Sequence, residues 1–377
     1  MKINCFATCT FGLEAIVKRE LERLNMDNIV TSDGRIDFSG DFSAIAKANL
    51  WLRSADRVMI NFGEFDAFSF EDLFQGVKNL PWGDILEKDA NFIVTGKSVR
   101  SQLFSVSDCQ AITKKAIVEK LKEKYNIDWF EETGAEYKIQ VGILKDRVTI
   151  AIDTTGAGLN KRGYRESAVT APLKETLAHA LIDLSYWNKN RILADTMCGS
   201  GTIPIEAAMI ARNIAPGLTR KFSAENWQHI PSEIWKEARK EAYAAMDPNV
   251  KVHIHGSDID PRAIEQAKYN AKLAGVDDMI YFENLQAADY KPDGEYGVLI
   301  SNPPYGSRIG NFDEIKELYY GLKRFLNANP SWSMYLLTAD EEIEKYLSKR
   351  ATKKRKLYNG NMKTDYYQFV GPRPPKA

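Results

Sequence analysis

The chain has 377 residues, 44% hydrophobic and 27% charged, ordinary for a soluble globular protein but too long for one small core, so two or three domains are expected. Lys plus Arg and Asp plus Glu number 51 each, which excludes a chain-wide polycation, so any nucleic-acid surface must be a local patch. The four cysteines (Cys5, Cys9, Cys109, Cys198) lack CxxC spacing and no Cys/His cluster accompanies them, which argues for reduced thiols and no metal site; residues 1–21 hold no apolar run of signal or membrane-span length, so a cytoplasmic location and no membrane partner are expected.

In chain order, residues 3–9 read as a strand, followed by helically spaced Leu13, Ile16, Val17, Leu21 and Leu24. A strand–turn–strand follows with Asp33-Gly34 at the turn, then a helix and another strand. This β-α-β-β-α-β order over 1–65 suits a ferredoxin-like unit. Residues 66–155 add a helix stopped by Pro81, a strand at NFIVTGKSVRSQ, a helix with Ser107 as its expected N-cap, and a strand pair around Lys145-Asp146. The segment 156–172, poor in core-forming residues, reads as a linker. From 173 to 377 strands and helices alternate, which predicts an α/β fold with a mostly parallel, doubly wound sheet, closed by a terminal antiparallel hairpin at Asn359-Gly360.

Four strand ends of this second part carry polar or glycine-rich motifs. RILADTMCGSGTIPIEAA runs a strand into a glycine turn and a helix, where a backbone can approach a ligand and helix amides can meet it. No Lys follows the glycines, so this is not a phosphate-gripping loop, and Asp195 before them favours a cationic or zwitterionic ligand. HIHGSDID ends the next strand in Asp258 and Asp260; an acid there can grip ribose hydroxyls, and Asp260 is assigned as the cap of the helix opened by Pro261. LQAADY places Asp289 after the third strand, where it can accept the amine of an adenine. VLISNPPYGSRIG then stops a buried strand at two prolines, which cannot donate to a ladder.

DTMCGSGT, GSDID, AADY and NPPYG in this order resemble the class I S-adenosylmethionine-dependent methyltransferases. GKSVRSQLFSVSDCQAITKKAI resembles a THUMP module, and LNKRGYRESAVTAPLKETLA resembles the linker and opening helix of the THUMP-domain RNA methyltransferases. Within these, nearly the whole chain is similar to the unit that makes N2-methylguanine in bacterial 23S rRNA; such chains are often labelled N6-adenine-specific DNA methylases because of NPPY. The resemblance implies a Rossmann-like methyltransferase domain at 173–377, a THUMP domain at 66–155 (or starting nearer 43), and S-adenosyl-L-methionine as cofactor. It implies cofactor contacts from Asp195, Cys198, Gly199, Ser200, Gly201, Thr202, Asp258, Ile259, Asp289 and Asn302. It implies methylation of an exocyclic base amine in RNA, with guanine N2 in 23S rRNA favoured. The alternatives are a tRNA guanine-N2 methyltransferase, an N6-adenine methyltransferase on DNA, and a non-catalytic RNA-binding assembly factor.

The chemistry suits NPPY. An exocyclic amine is a poor nucleophile because its lone pair is delocalised into the ring. The Asn302 side-chain oxygen and the Pro303 carbonyl, stiffened by Pro304, can accept its two hydrogens, and Tyr305 can stack on the extruded base. Alignment and electrostatics then carry the catalysis without a strong base. RNA contacts are expected from Lys97, Arg100, Lys161, Arg162 and Arg165, the linker basics ranked first. The basic run Lys353, Lys354, Arg355 and Lys356 can bind RNA or merely decorate an edge strand. Residues 212–250 lengthen the path between the first helix and second strand. With Arg220, Lys221, Phe222 and Trp227 they can cover the site, touch RNA, or simply pack on the sheet.

Overall fold

The structure, a computed structural model, describes residues 2–165, 173–304 and 312–375. The chain divides into two compact units: Met1–Cys9, Val17–Leu159 and Arg220–Glu241 form one, and Thr10–Ile16, Asn160–Thr219 and Ala242–Ala377 the other.

The first unit contains β1 (Ile3–Thr8), β2 (Asp27–Ser32), β3 (Arg35–Gly40), α2 (Phe42–Trp51) and β4 (Arg57–Asp66), with α1 (Glu14–Arg23) between β1 and β2. It continues through α3 (Phe70–Lys78), β5 (Asn91–Val99), α4 (Val106–Tyr125), β6 (Glu136–Leu144) and β7 (Arg147–Asp153). All seven strands make one sheet in the order β2-β3-β1-β4-β7-β6-β5. The ten-residue β4 joins its halves: its first residues pair with β1, and Met59 to Asp66 pair antiparallel with β7. Alternation drives the packing. Tyr137, Ile139, Val141 and Ile143 of β6 turn inward while their neighbours do not, the period-two pattern of a half-buried strand. The turn into β7 uses Lys145 (φ 50°) and Asp146 (φ 64°), the left-handed pair that a tight hairpin requires. The cap of α4 is Ser105 rather than the expected Ser107. The helix begins two residues sooner: Val106 and Ser107 already take helical geometry, and the Cys109 amide donates to the Ser105 carbonyl.

The sequence between the first helix and second strand of the second unit visits this first unit. Phe222, Trp227 and Trp235 are each at most 2% exposed. The Trp227 ring stacks on Tyr137 at 4.6 Å, and its Nε1 donates to the Glu136 carbonyl at 3.1 Å. Arg220 donates to the carbonyls of Gly158 and Ala157 and lies 5.0 Å over the Phe222 ring. Of the three roles open for this segment, packing is the one these aromatics take: their rings are core of the first unit, not a cover or an RNA contact, because burying surfaces this large outweighs leaving them wet.

The second unit holds α5 (Glu175–Asp183), β8 (Leu193–Asp195), α6 (Thr202–Ala211), β9 (Ile254–Asp258), α8 (Pro261–Leu273), β10 (Ile280–Asn284), β11 (Val298–Ser301), α9 (Phe312–Ala328), β12 (Ser333–Thr338), α10 (Ile343–Leu347), β13 (Lys353–Asn359) and β14 (Met362–Phe369); α7 (Ser232–Ala244) precedes β9. The sheet order is β10-β9-β8-β11-β12-β14-β13, parallel through β12 and antiparallel beyond. Every residue of β8, β11 and β12 is buried, as expected for strands covered on both faces. Leu299, Met334, Leu336, Trp332, Tyr367 and Phe369 belong to one apolar cluster against α9 and α10. The chain moves outward from β8 to β10 and then crosses back to β11, so a crevice opens at the carboxyl ends of β8 and β11, where open α/β sheets bind ligands.

Candidate functional site

β8 ends at Asp195, which is 1% exposed. Its Oδ1 accepts the Ser301 hydroxyl at 2.7 Å and the Met197 amide at 3.2 Å. Ser301, the last residue of β11, also accepts the Thr196 amide at 3.2 Å. Burial pushes the Asp195 carboxyl up to about 7; the bonds from Ser301 and Met197 pull it down, and the Asp258 charge adds to the rise.

The glycine turn follows with Gly199 at φ +52° and Gly201 at φ +83°, the left-handed region that glycine enters without strain. The two differ in surroundings. A Cβ on Gly201 would lie 3.0 Å from Ala267 Cβ and 3.2 Å from Phe282, whereas one on Gly199 would meet nothing within 4 Å. Gly201 serves close packing of α6 on α8 and β10; Gly199 borders open space. The turn is held by the Cys198 amide on the Ser257 carbonyl (2.9 Å), the Asn270 Nδ2 on the Ser200 carbonyl (2.9 Å) and the Gly199 amide on Asp258 Oδ2 (2.9 Å). Beyond it, Thr202 begins α6; the amides of Thr202 and Ile203 have no i−4 carbonyl within the helix, Pro204 has no N–H, and the Ile205 amide already donates to the Gly201 carbonyl.

Asp258 is half-buried, and its Oδ1 accepts the Asp260 amide at 3.0 Å. Each of its oxygens thus carries one backbone bond and keeps capacity for another. Asp260 caps α8 through the Arg262 amide at 2.9 Å, as assigned from sequence. Between them Ile259 presents a 65% exposed apolar side chain. Asn284 fixes this turn by donating to the carbonyls of Asp258 (2.8 Å) and Ile259 (3.0 Å). Neither Asn284 nor Ser301 emerges from the sequence; the only signal is that each ends a strand beside a motif. Asp289 is exposed in a single 3₁₀ turn after β10.

At the end of β11, Asn302 is half-buried, Pro303 buried and Pro304 half-buried. The Asn302 Oδ1 is shut from solvent and has no hydrogen-bond partner among the described residues. A buried acceptor left unpaired costs about 1–3 kcal/mol, so it is an acceptor in want of a donor. Tyr305 lies outside the described residues.

The basic residues divide. Lys97 and Arg100 are exposed, on and just after the edge strand β5, and Lys161 is exposed. Beside the first two stand exposed apolar groups that the sequence reading missed: Phe104 at 82%, and Val99 and Leu144, directly paired across β5 and β6. Arg162 and Arg165 do not fit an RNA-facing role. Arg162 and Glu206 are buried and paired at 3.3 Å, with the Tyr164 hydroxyl on the same carboxylate at 3.2 Å. Arg165 pairs with buried Glu175 at 3.1 Å and donates to Thr202. Both guanidiniums are paired inside the second unit, although the Arg165 Nε has no partner among the described residues, and they anchor the segment before α5 to α5 and to the helix after the glycine turn, because a buried Glu206 or Glu175 requires a countercharge.

Residues 162–368 match the family described as RMKL-like, methyltransferase domain; residues 4–59 match the RlmL ferredoxin-like domain and residues 67–153 the THUMP domain. The chain is 45% identical, over 98% of its length and 96% of the relative's, to a Bacillus subtilis (strain 168) protein named "Putative RNA methyltransferase YpsC". A Listeria monocytogenes structure described as a predicted N6-adenine-specific DNA methylase is 50% identical, with a TM-score of 0.95, covering 99% of this chain and 97% of that one. A third, described as "SMU.472, a putative methyltransferase complexed with SAH", is 42% identical with a TM-score of 0.94 and 99% coverage of both chains.

Proposed function

Since the chain belongs to the RMKL-like methyltransferases and carries an RlmL ferredoxin-like domain and a THUMP domain, we propose that it methylates an exocyclic base amine in RNA, guanine N2 in 23S rRNA being the favoured target. The cofactor is S-adenosyl-L-methionine, in keeping with a 42% identical relative that holds SAH. The observation that carries the reading of the reaction is the buried Asn302 Oδ1, without a partner among the described residues, at the end of the strand beside the glycine turn.

The residues present fit this cofactor. Open space before Gly199 leaves a cradle that a side chain would fill, and an exposed Ile259 beside Asp258 offers an apolar face next to an acid. In this reading Asp258 takes the ribose hydroxyls, Ile259 lies against the adenine, and Asp289 accepts the adenine amine. The backbone of Cys198, Gly199, Ser200, Gly201 and Thr202 meets the amino-acid end, near the Asp195 carboxylate. When bound, the cofactor supplies a methyl group made electrophilic by a sulfonium.

The protein's part is positioning. Asn302 Oδ1 and the Pro303 carbonyl accept the two amine hydrogens, and Asn302 borders the cofactor. This holds the nitrogen lone pair out of the base plane and toward the methyl donor. Pro304 stiffens the turn, and Tyr305 stacks on the extruded base. Lys97 and Arg100, with the exposed Phe104 ring near them as a stacking face, and Lys161 are RNA-capturing candidates on this reading. The reading places the enzyme in the cytoplasm with its RNA. The name of the YpsC relative favours RNA; the Listeria relative's description favours DNA adenine N6, against which the THUMP domain weighs.

Mass spectrometry of nucleosides from rRNA, tRNA and DNA of knockout and wild-type cells tests it. Loss of N2-methylguanine from large-subunit rRNA is expected. Loss from tRNA alone would move the substrate, and loss of N6-methyladenine from DNA with RNA unchanged would overturn the reading.

A further inference from the structure

Three strands across the sheet from Asn302 lies a surface to which the reading above gives no role. β13 is the edge strand, and it runs in the same direction as β11 and β12. Register carries the level of Ser301 to Leu336, then Tyr367, then Lys354. Lys356 and Tyr358 therefore stand two and four residues beyond that level, about 7 and 13 Å above it, on the same carboxyl side as Asn302. The lateral distance from β11 is three strand spacings, about 14 Å.

The turn before α1 completes the surface. Gly12, at φ +94°, lies so close to β13 that a Cβ would be 3.2 Å from the Lys356 carbonyl and 3.3 Å from Leu357. This presses the neighbouring Phe11 against Tyr358, with ring centroids 6.2 Å apart at 76°, and leaves Phe11 53% exposed. Lys356 Nζ sits 5.5 Å from the Tyr358 ring. Lys354 pairs with Asp365 at 3.4 Å and Lys363 approaches Glu341 at 4.0 Å, but Lys353, Arg355 and Lys356 have no carboxylate partner among the described residues.

Lysines on an edge strand can simply discourage pairing with another chain. That role needs charge alone. It does not need a half-bare phenylalanine braced edge-on by a tyrosine and flanked by a lysine without a carboxylate partner among the described residues, which is the combination that binds single-stranded nucleic acid by stacking and phosphate contact. We propose that Phe11, Tyr358 and Lys356 form a platform for single-stranded RNA flanking the target nucleotide, Phe11 stacking on a base while Lys356 meets an adjoining phosphate. The inference rests on the reading that the substrate is RNA.

Fluorescence anisotropy of the full chain with labelled oligoadenylate tests it without methyl transfer. Phe11→Ala should weaken binding about tenfold, as loss of one base stack does, and Phe11→Tyr should restore it. Lys356→Ala should lower the slope of log affinity against log salt by about 0.7. Cofactor affinity should not change in any of them. Wild-type RNA affinity in both Phe11→Ala and Lys356→Ala, or no binding by the wild-type chain, would overturn the platform. So would retention of RNA affinity with loss of a co-purifying protein, which would assign the patch to a protein partner. Normal oligoadenylate binding with methylation found only on DNA would instead defeat the proposed function and leave the platform standing.

Discussion

The Ser301 hydroxyl donates to Asp195 Oδ1 at 2.7 Å and so joins the ends of two adjacent parallel strands at the point where strand order reverses. Ser301 also accepts the Thr196 amide and directly precedes Asn302, so one side chain couples the glycine turn to the proline turn.

Ser301→Ala should therefore loosen both turns at once. A buried carboxylate would lose a donor, at a cost of about 1–3 kcal/mol, and the Asp195 carboxyl would rise further because Ser301 now pulls it down. Denaturant unfolding should show the loss, and the pH profile of methyl transfer should move upward. Unchanged stability and an unchanged profile would mean that the bond holds nothing in place.

Asp195 sets a pH dependence of stability. Its folded value of about 7 lies above the ordinary carboxylate value near 3.9. The folded state keeps a proton that the unfolded chain has already released, so this group's contribution worsens as pH rises from about 4 to about 7 and stays at its worst above that. Asp195→Asn should gain thermal stability over wild type at pH 8 but not at pH 4, and should bind S-adenosylmethionine more weakly because the negative charge is gone. A Tm difference flat across this range would contradict the assignment.

Asn302→Ala leaves Gly199, Asp258 and Ile259 untouched. Cofactor affinity by calorimetry should stay within a few fold, while tritium transfer to rRNA from a knockout strain falls by a hundredfold or more, roughly the effect of deleting one preorganised group at a reacting centre. Tyr305→Ala should behave alike and Tyr305→Phe should retain activity, since the ring does the stacking. Wild-type rates for Asn302→Ala would reduce NPPYG to a strand end.

The two glycines should separate packing from ligand binding. Gly199→Ala faces open space and carries only left-handed strain, about 1–2 kcal/mol, yet should abolish cofactor binding by filling the cradle. Gly201→Val meets Ala267 and Phe282 and should lower Tm as well. Equal loss of Tm for both, with Gly199→Ala still binding cofactor, would place the cradle elsewhere.

Arg162→Met leaves Glu206 buried with, among the described residues, the Tyr164 hydroxyl alone and should destabilise by about 3–5 kcal/mol; adding Glu206→Met should recover much of it. RNA affinity of the double variant should match wild type, because a side chain 1% exposed meets no phosphate. A lost RNA affinity in a stable double variant would restore Arg162 to the RNA surface.

What the sequence determined was periodic and local. Alternating strands and helices after residue 173 named the doubly wound sheet, Asp260-Pro261 announced a cap, and Lys145-Asp146 and Asn359-Gly360 marked their turns, because each needs only neighbours along the chain. The motifs Asp195, Gly199–Gly201, Asp258 and Asn302 were legible because strand ends in such a sheet share one edge whatever lies between them. Long-range partnership was decided by the tertiary structure alone. Ser301 finds Asp195 across 106 positions, Arg162 finds Glu206 across 44, and Trp227 finds the Glu136 carbonyl across 91. A basic residue looks the same in sequence whether it faces water or a buried acid, and an aromatic looks the same whether it waits for a base or fills a core. Desolvation separates these outcomes, and it depends on which groups the fold brings within a few ångströms.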